Sequence, residues 1–196
     1  MKKLLFLIIV SLIVLAGCNS EETTSYRSDL QSVADKMLEN GTTVETLLDQ
    51  YSKVWSYSIE SKGAIPVQDM MALTGFSEDK VRDHFEINGA GNITDDFSTN
   101  IHSLNLYYDS IGSLEEIEEA SKDIKSKITE LNESPEGYEK VYDEILDMYT
   151  YSEEYIEMAL NPNGSLQSFN QNKNQLSSDI LSKHKRIEAT MPSDEN

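Results

Sequence analysis

After about residue 29, apolar residues recur every three or four positions through almost the whole chain, and no stretch alternates apolar and polar residues over a strand's length. Steps of three and four place side chains on one face of an α-helix, whereas a half-buried strand needs a step of two. From Asp29 to Ser61 the stripe is Leu30, Val33, Met37, Val44, Leu47, Tyr51, Trp55 and Ile59. Gly41 interrupts it, leaving open one long helix or two with a kink; Lys62-Gly63 and Pro66 close it. Phe97, Ile101, Leu104, Tyr108 and Ile111 form the next face, up to a turn at Gly112-Ser113. Ile117, Ala120, Ile124, Ile128 and Leu131 follow, then Tyr138, Val141, Tyr142, Ile145, Met148, Tyr149, Ser152, Ile156 and Ala159. The last seam is Leu166, Phe169, Leu176, Ile180, Ile187 and Met191.

Residues 62–93 are the least regular part and hold four of the nine glycines. Val67–Leu73 and Ser77–Phe85 are each expected to form a short helix, the second capped by Ser77. Thr94 reads as the cap of the helix that follows, with Asp95 and Asp96 next to its positive end. Ser134-Pro135 reads as another cap, with proline in the first helical position. Asn161-Pro162-Asn163-Gly164 stops one helix before Ser165 opens the last. Short connections make consecutive helices antiparallel neighbours. The expected fold class is therefore all-α: an elongated antiparallel bundle of about four main helices, with short helices in the irregular segment. The single helical domain is placed at 28–192, with a disordered tail at 193–196.

The lone cysteine, Cys18, excludes an intrachain disulfide and a cysteine-held zinc, so packing alone must hold the fold. Thirty-five acidic against sixteen basic side chains give a net charge of −19. That sign repels nucleic acids and anionic headgroups, so no nucleic-acid partner is expected. Fifteen acids and four lysines fall between residues 115 and 157, a solvated face whose functional reading is a docking surface for a cationic partner.

The first eighteen residues have their own logic. Lys2 and Lys3 are followed by an apolar run, Leu4 to Leu15, too short to span a bilayer, and by Leu15-Ala16-Gly17-Cys18. This ending resembles the lipobox of bacterial lipoproteins. The resemblance implies a signal peptide at 1–17 cleaved after Gly17, a diacylglyceryl thioether on Cys18, and an acyl chain such as palmitate on the new N-terminus. It also implies a chain anchored in the cell membrane, on the extracytoplasmic face, with the bilayer as partner through the Cys18 lipid. One acyl chain holds a protein only marginally, but two hold firmly at about 0.8 kcal/mol per buried methylene. Residues 18–27, polar and without periodicity, read as the lipidated cysteine and a flexible tether. The Lys, Glu, Asn, Ile and Ser bias points to an AT-rich genome and a Gram-positive host.

No residues are assigned to catalysis, metal or cofactor binding. His84, His102 and His184 lie on separate segments, and His184 has only Glu188 one turn away. The Glu-x-x-His pairs of a helical di-iron site, a calcium loop, the Gly-x-Ser-x-Gly elbow and the phosphate-cradling loop are absent from the sequence. Tyr51, Tyr108, Tyr142, Tyr149 and Trp55 belong to the stripes and are expected in the core, whereas Tyr107, Tyr151 and Tyr155 are expected at the surface. Met70-Met71 with Leu73 and Phe76 is expected to pack on the bundle, the other reading being an adaptable knob for a partner.

Pro162-Asn163-Gly164-Ser165-Leu166-Gln167-Ser168-Phe169-Asn170 is similar to a stretch in small helical lipoproteins of Gram-positive bacteria, some of them prophage-borne. That likeness implies a tethered helical bundle and carries over no activity. The expected function is a non-enzymatic binding module of the cell envelope, contacting another envelope component or an incoming macromolecule, as in phage exclusion. The rivals are an envelope enzyme with its site between helices and a substrate-capturing transporter accessory.

Overall fold

The first helix, α1 (Lys2–Glu60), organises the molecule, because α2, α4, α5, α6 and α7 all pack against it. The computed structural model describes the backbone of residues 2–193 and the side chains of residues 22–193. Gly41 does not break α1, which is a single helix. A methyl group on Gly41 would lie 3.9 Å from Ile180 Cγ2, an ordinary contact. Gly41→Ala is therefore expected to stabilise the fold by about 1 kcal/mol, the helix-propensity difference between the two residues. Thermal unfolding that shows no rise in Tm would contradict this.

The helix also runs through residues 22–27, where composition suggested a tether. Tyr26 is the reason. It is buried, meets Tyr138 edge-on at 5.4 Å, and donates its hydroxyl to Leu131 O at 2.8 Å, with Ser134 Oγ also at 2.8 Å. One aromatic ring is too little to create a periodic pattern, yet it ties the polar stretch to the bundle. Of the expected tail, residues 194–196 lie outside the described residues.

Residues 62–93 cross one end of the bundle, through α2 (Val67–Thr74) and α3 (Glu78–His84). Ser77 caps α3 as expected, accepting from Lys80 N at 3.4 Å. The segment is pinned by an antiparallel bridge in which Ile65 and Ile93 exchange backbone hydrogen bonds of 2.9 and 2.8 Å, both side chains fully buried. Met70 is fully buried, and Met71, Leu73 and Phe76 pack on the core, so this group is part of the fold and not a free knob.

The remaining helices are α4 (Phe97–Ser110), α5 (Ser113–Glu130), α6 (Glu139–Leu160) and α7 (Leu166–Thr190). Cross-helix hydrogen bonds set their directions. Asn100 meets Ser58, Asn105 meets Tyr51, Asn40 reaches Ile117 O and Tyr26 reaches Leu131 O. Helices α4 and α5 thus run down α1 one after the other, joined at Gly112, whose φ of +78° favours glycine. Tyr138 beside Tyr26 and Ala159 beside Tyr51 make α6 parallel to α1. Ser52–Asn170, Ser177–Glu45 and His184–Asp35 make α7 antiparallel to it. The result is an all-α bundle of four columns, up, down, up and down, with no strand among the described residues.

Two caps differ from expectation. Asp96, not Thr94, caps α4, accepting from Thr99 N at 2.8 Å, because α4 starts at Phe97 and Thr94's hydroxyl instead accepts from Asp96 N at 3.3 Å. Helix α6 begins at Glu139, not after Ser134, since Ser134 is engaged by Tyr26 and Pro135–Gly137 forms a turn. Two tyrosines expected at the surface are core. Tyr107 is roofed by Phe76, with ring centroids 4.1 Å apart, and by His84. Tyr155 is buried because α6 packs on α1, α5 and α7, and its inward arc is wider than one stripe. Ile59 and Ile111, assigned to stripes, are more than half exposed at helix ends.

Candidate functional site

Leu15, Ala16, Gly17 and Cys18 lie outside the residues whose side chains are described. Among the described residues, no helix is long and apolar enough to cross a membrane.

The histidines stay apart. His84 is half-buried against Tyr107, His102 is exposed on α4, and His184 is buried on α7. His184 Nε2 lies 2.7 Å from Asp35 Oδ1, and its Nδ1 is 3.7 Å from Glu188 Oε2. The Asp35 partner is invisible to local spacing, because it comes from α1. Among the described residues no three His, Cys, Asp or Glu side chains are grouped to hold a metal.

The acids of residues 115–157 are solvated except one. Glu144 is buried, and α7 supplies its counter-charges: Lys183 Nζ at 2.7 Å from Oε2 and Arg186 Nε at 2.7 Å from Oε1. Lys183 also reaches Asp147 at 2.7 Å. Lys183 and Arg186 of α7 are thus engaged by Glu144 and Asp147, while the other acids of α5 and α6 stay solvated and keep their negative charge.

A different kind of surface opens at the end of the bundle where α1 finishes, α4 starts and α6 turns into α7. Here a cleft of about 570 Å³ is lined by Trp55, Phe97, Ser98, Ile101, His102, Asn105 and the Leu160–Gly164 turn. Trp55 is 3% exposed and forms a floor, on which Phe97 stacks with centroids 5.4 Å apart and planes within 10°. Phe97 is 40% exposed, so part of its ring is left to solvent. Asn105 is locked in place as its Nδ2 donates to Tyr51 Oη at 3.0 Å, Ala159 O at 3.1 Å and Leu160 O at 3.3 Å. Burial pushes the Tyr51 hydroxyl pKa up to about 12, so it remains protonated and donates to Ala159 O.

The opposite wall is built by the turn that the sequence singled out. Asn163 Nδ2 donates to Asn161 O at 2.7 Å, and Asn161 Nδ2 to Glu157 Oε1 at 2.7 Å. Gly164 has φ +94°, and Ser165 and Ser168 form a reciprocal capping box that starts α7. Sequence reasoning took these residues as a helix stop and a cap, which they are, but did not join them to Trp55 and Phe97. The one available signal was that the chain's single tryptophan lies near the end of the α1 stripe.

The cleft's lining contains one titratable side chain, His102. Two other grooves are highly charged. The one between α5 and α6 carries Glu118, Lys122, Lys125, Glu153, Glu154 and Glu157; the one between α1 and α5 carries Lys36, Glu39, Glu116 and Asp123. No protein-family model matches this chain, and comparison with curated proteins and with solved structures gives no match.

Proposed function

We propose that this chain is a bacterial lipoprotein, held by lipid on Cys18 at the outer face of the cell membrane, and a non-enzymatic binding module of the cell envelope. The observation that carries the anchoring is Leu15-Ala16-Gly17-Cys18, placed after a short apolar run behind two lysines and containing the chain's only cysteine. Bundle geometry supports the rest. Tyr26 docks eight residues after Cys18, a distance that even fully extended chain limits to about 28 Å. The end of the bundle that carries Tyr26 is therefore the end next to the lipid.

From Tyr26 to Trp55, α1 extends about 44 Å at 1.5 Å per residue, so the aromatic cleft faces away from the bilayer. A tether at one end and an uncharged cleft at the other is an arrangement for reaching something beyond the membrane. A cleft with a single titratable group supports binding better than acid–base chemistry.

Expression of the wild type and Cys18→Ala in a Gram-positive host tests the anchor. The wild type is expected in the membrane fraction with a lipid-sized mass added to its N-terminal peptide. Cys18→Ala is expected to reduce membrane retention by roughly tenfold or more, since the acyl chains provide the anchoring energy. Equal retention, or an unmodified Cys18 peptide, would overturn it. Crosslinking of intact cells then names the component held at the outer end.

A further inference from the structure

The cleft between α1, α4 and the α6–α7 turn has a chemistry unlike the rest of the molecule. The chain carries −19, yet no Asp, Glu, Lys or Arg lines this cleft. Apart from the His102 imidazole, an ionic ligand would find no group there able to carry a counter-charge, while a cationic one would be drawn to the acidic faces of α5 and α6. The lining offers a flat aromatic face at Phe97, backed by the buried Trp55, together with the side chains of Ser98, His102, Asn105, Asn161 and Asn163. Its volume of about 570 Å³ falls within the roughly 300–1,000 Å³ of small-ligand clefts.

An apolar ring face beside side-chain amides and a hydroxyl is the complement of a sugar ring. Such a ring has a C–H face to lay on the aromatic surface and an edge of hydroxyls that each donate and accept. Amides suit that edge without a charge that must be desolvated: Asn105, whose Nδ2 is spent inside the fold, still has its Oδ1, and Asn161 and Asn163 each have an Oδ1 and a second N–H beyond the bond that holds them. Asn105 is held by three hydrogen bonds and the turn by two more, so little side-chain freedom is lost on binding.

We infer that this cleft binds an uncharged oligosaccharide segment, stacked on Phe97 and hydrogen-bonded by the asparagine turn. The inference rests on the binding-module reading and gives it a ligand class. It does not depend on lipidation.

Trp55 provides the readout, because it is the only tryptophan and lies under the ligand face. The purified full chain, in a detergent without a sugar headgroup, is titrated with chitotetraose, with maltotetraose and with tetralysine while Trp55 emission is recorded. Saturable change with either sugar and none with tetralysine is expected, and the stronger of the two sugars shows whether acetamido groups are read. Phe97→Ala should weaken that binding roughly tenfold, the equivalent of one aromatic stacking contact. Phe97→Leu, which keeps apolar bulk over Trp55 but lacks the flat face, should weaken it as well, and circular dichroism checks that both variants fold. Ile59→Ala, an exposed apolar change at the same end but outside the cleft, should leave binding unaltered. No response to either sugar, a response equally given by tetralysine, or one untouched in both Phe97 variants would overturn the inference. A lipidated, membrane-held chain that ignores both sugars would lose the ligand and keep the anchor; an unlipidated chain that binds them would do the reverse.

Discussion

Tyr26→Ala is expected to destabilise the fold by about 4 kcal/mol, the usual cost of deleting a buried aromatic ring. Three losses combine at this position: the ring's burial, its edge-on contact with Tyr138, and the hydroxyl's bonds to Leu131 O and Ser134. Tyr26→Phe retains the first two and should cost only about 1 kcal/mol, the net value of a hydrogen bond. Denaturant unfolding of the two variants separates these contributions. Near-wild-type stability for Tyr26→Ala would mean that the residues after Cys18 are a tether after all. The large loss would mean that the bundle starts within a few residues of the lipid, which restricts how far the outer cleft can swing.

Lys183→Met is expected to cost about 3 kcal/mol, because it withdraws one of the two cations that compensate a buried carboxylate. Glu144 would remain 6% exposed, with only Arg186 beside it, and Arg186 is itself more than half solvated. The burden falls on an unpaired charge and not on lost attraction. Adding Glu144→Leu should therefore restore stability to within about 1 kcal/mol of the wild type. Asp147 and Arg186 are exposed enough to return to water without penalty. If the double variant is instead as unstable as the sum of the two single ones, Lys183 and Glu144 are energetically uncoupled, and an unpaired Glu144 charge is not what Lys183→Met costs. Urea midpoints of the three proteins complete the cycle.

Both residues show how sequence and tertiary structure divided the determination of this protein. Helical class was legible from the three- and four-residue spacing, because a helix face is a local property of its own residues. The stops at Gly112 and Asn161–Gly164 were legible for the same reason: backbone chemistry acts within a few residues. The lipobox-like ending at Cys18 is also local, and the sequence alone carries it.

What the sequence left open is whatever needs a partner from another helix. Tyr107 and Tyr155 read as surface residues because their own helices gave no sign of the cover that Phe76 and α7 provide. His184 acquired Asp35 from 149 positions away, and Glu144 acquired Lys183 and Arg186 from α7. The cleft is the strongest case. Trp55, Phe97 and Asn163 belong to α1, α4 and a turn, each with a sufficient local explanation as core stripe, helix start and helix stop. Only the packing of the columns, which sets α1's end against α4's start and the α6–α7 turn, brings them around one space. Local periodicity decides which face of a helix is buried; the side chains of other helices decide what that face meets.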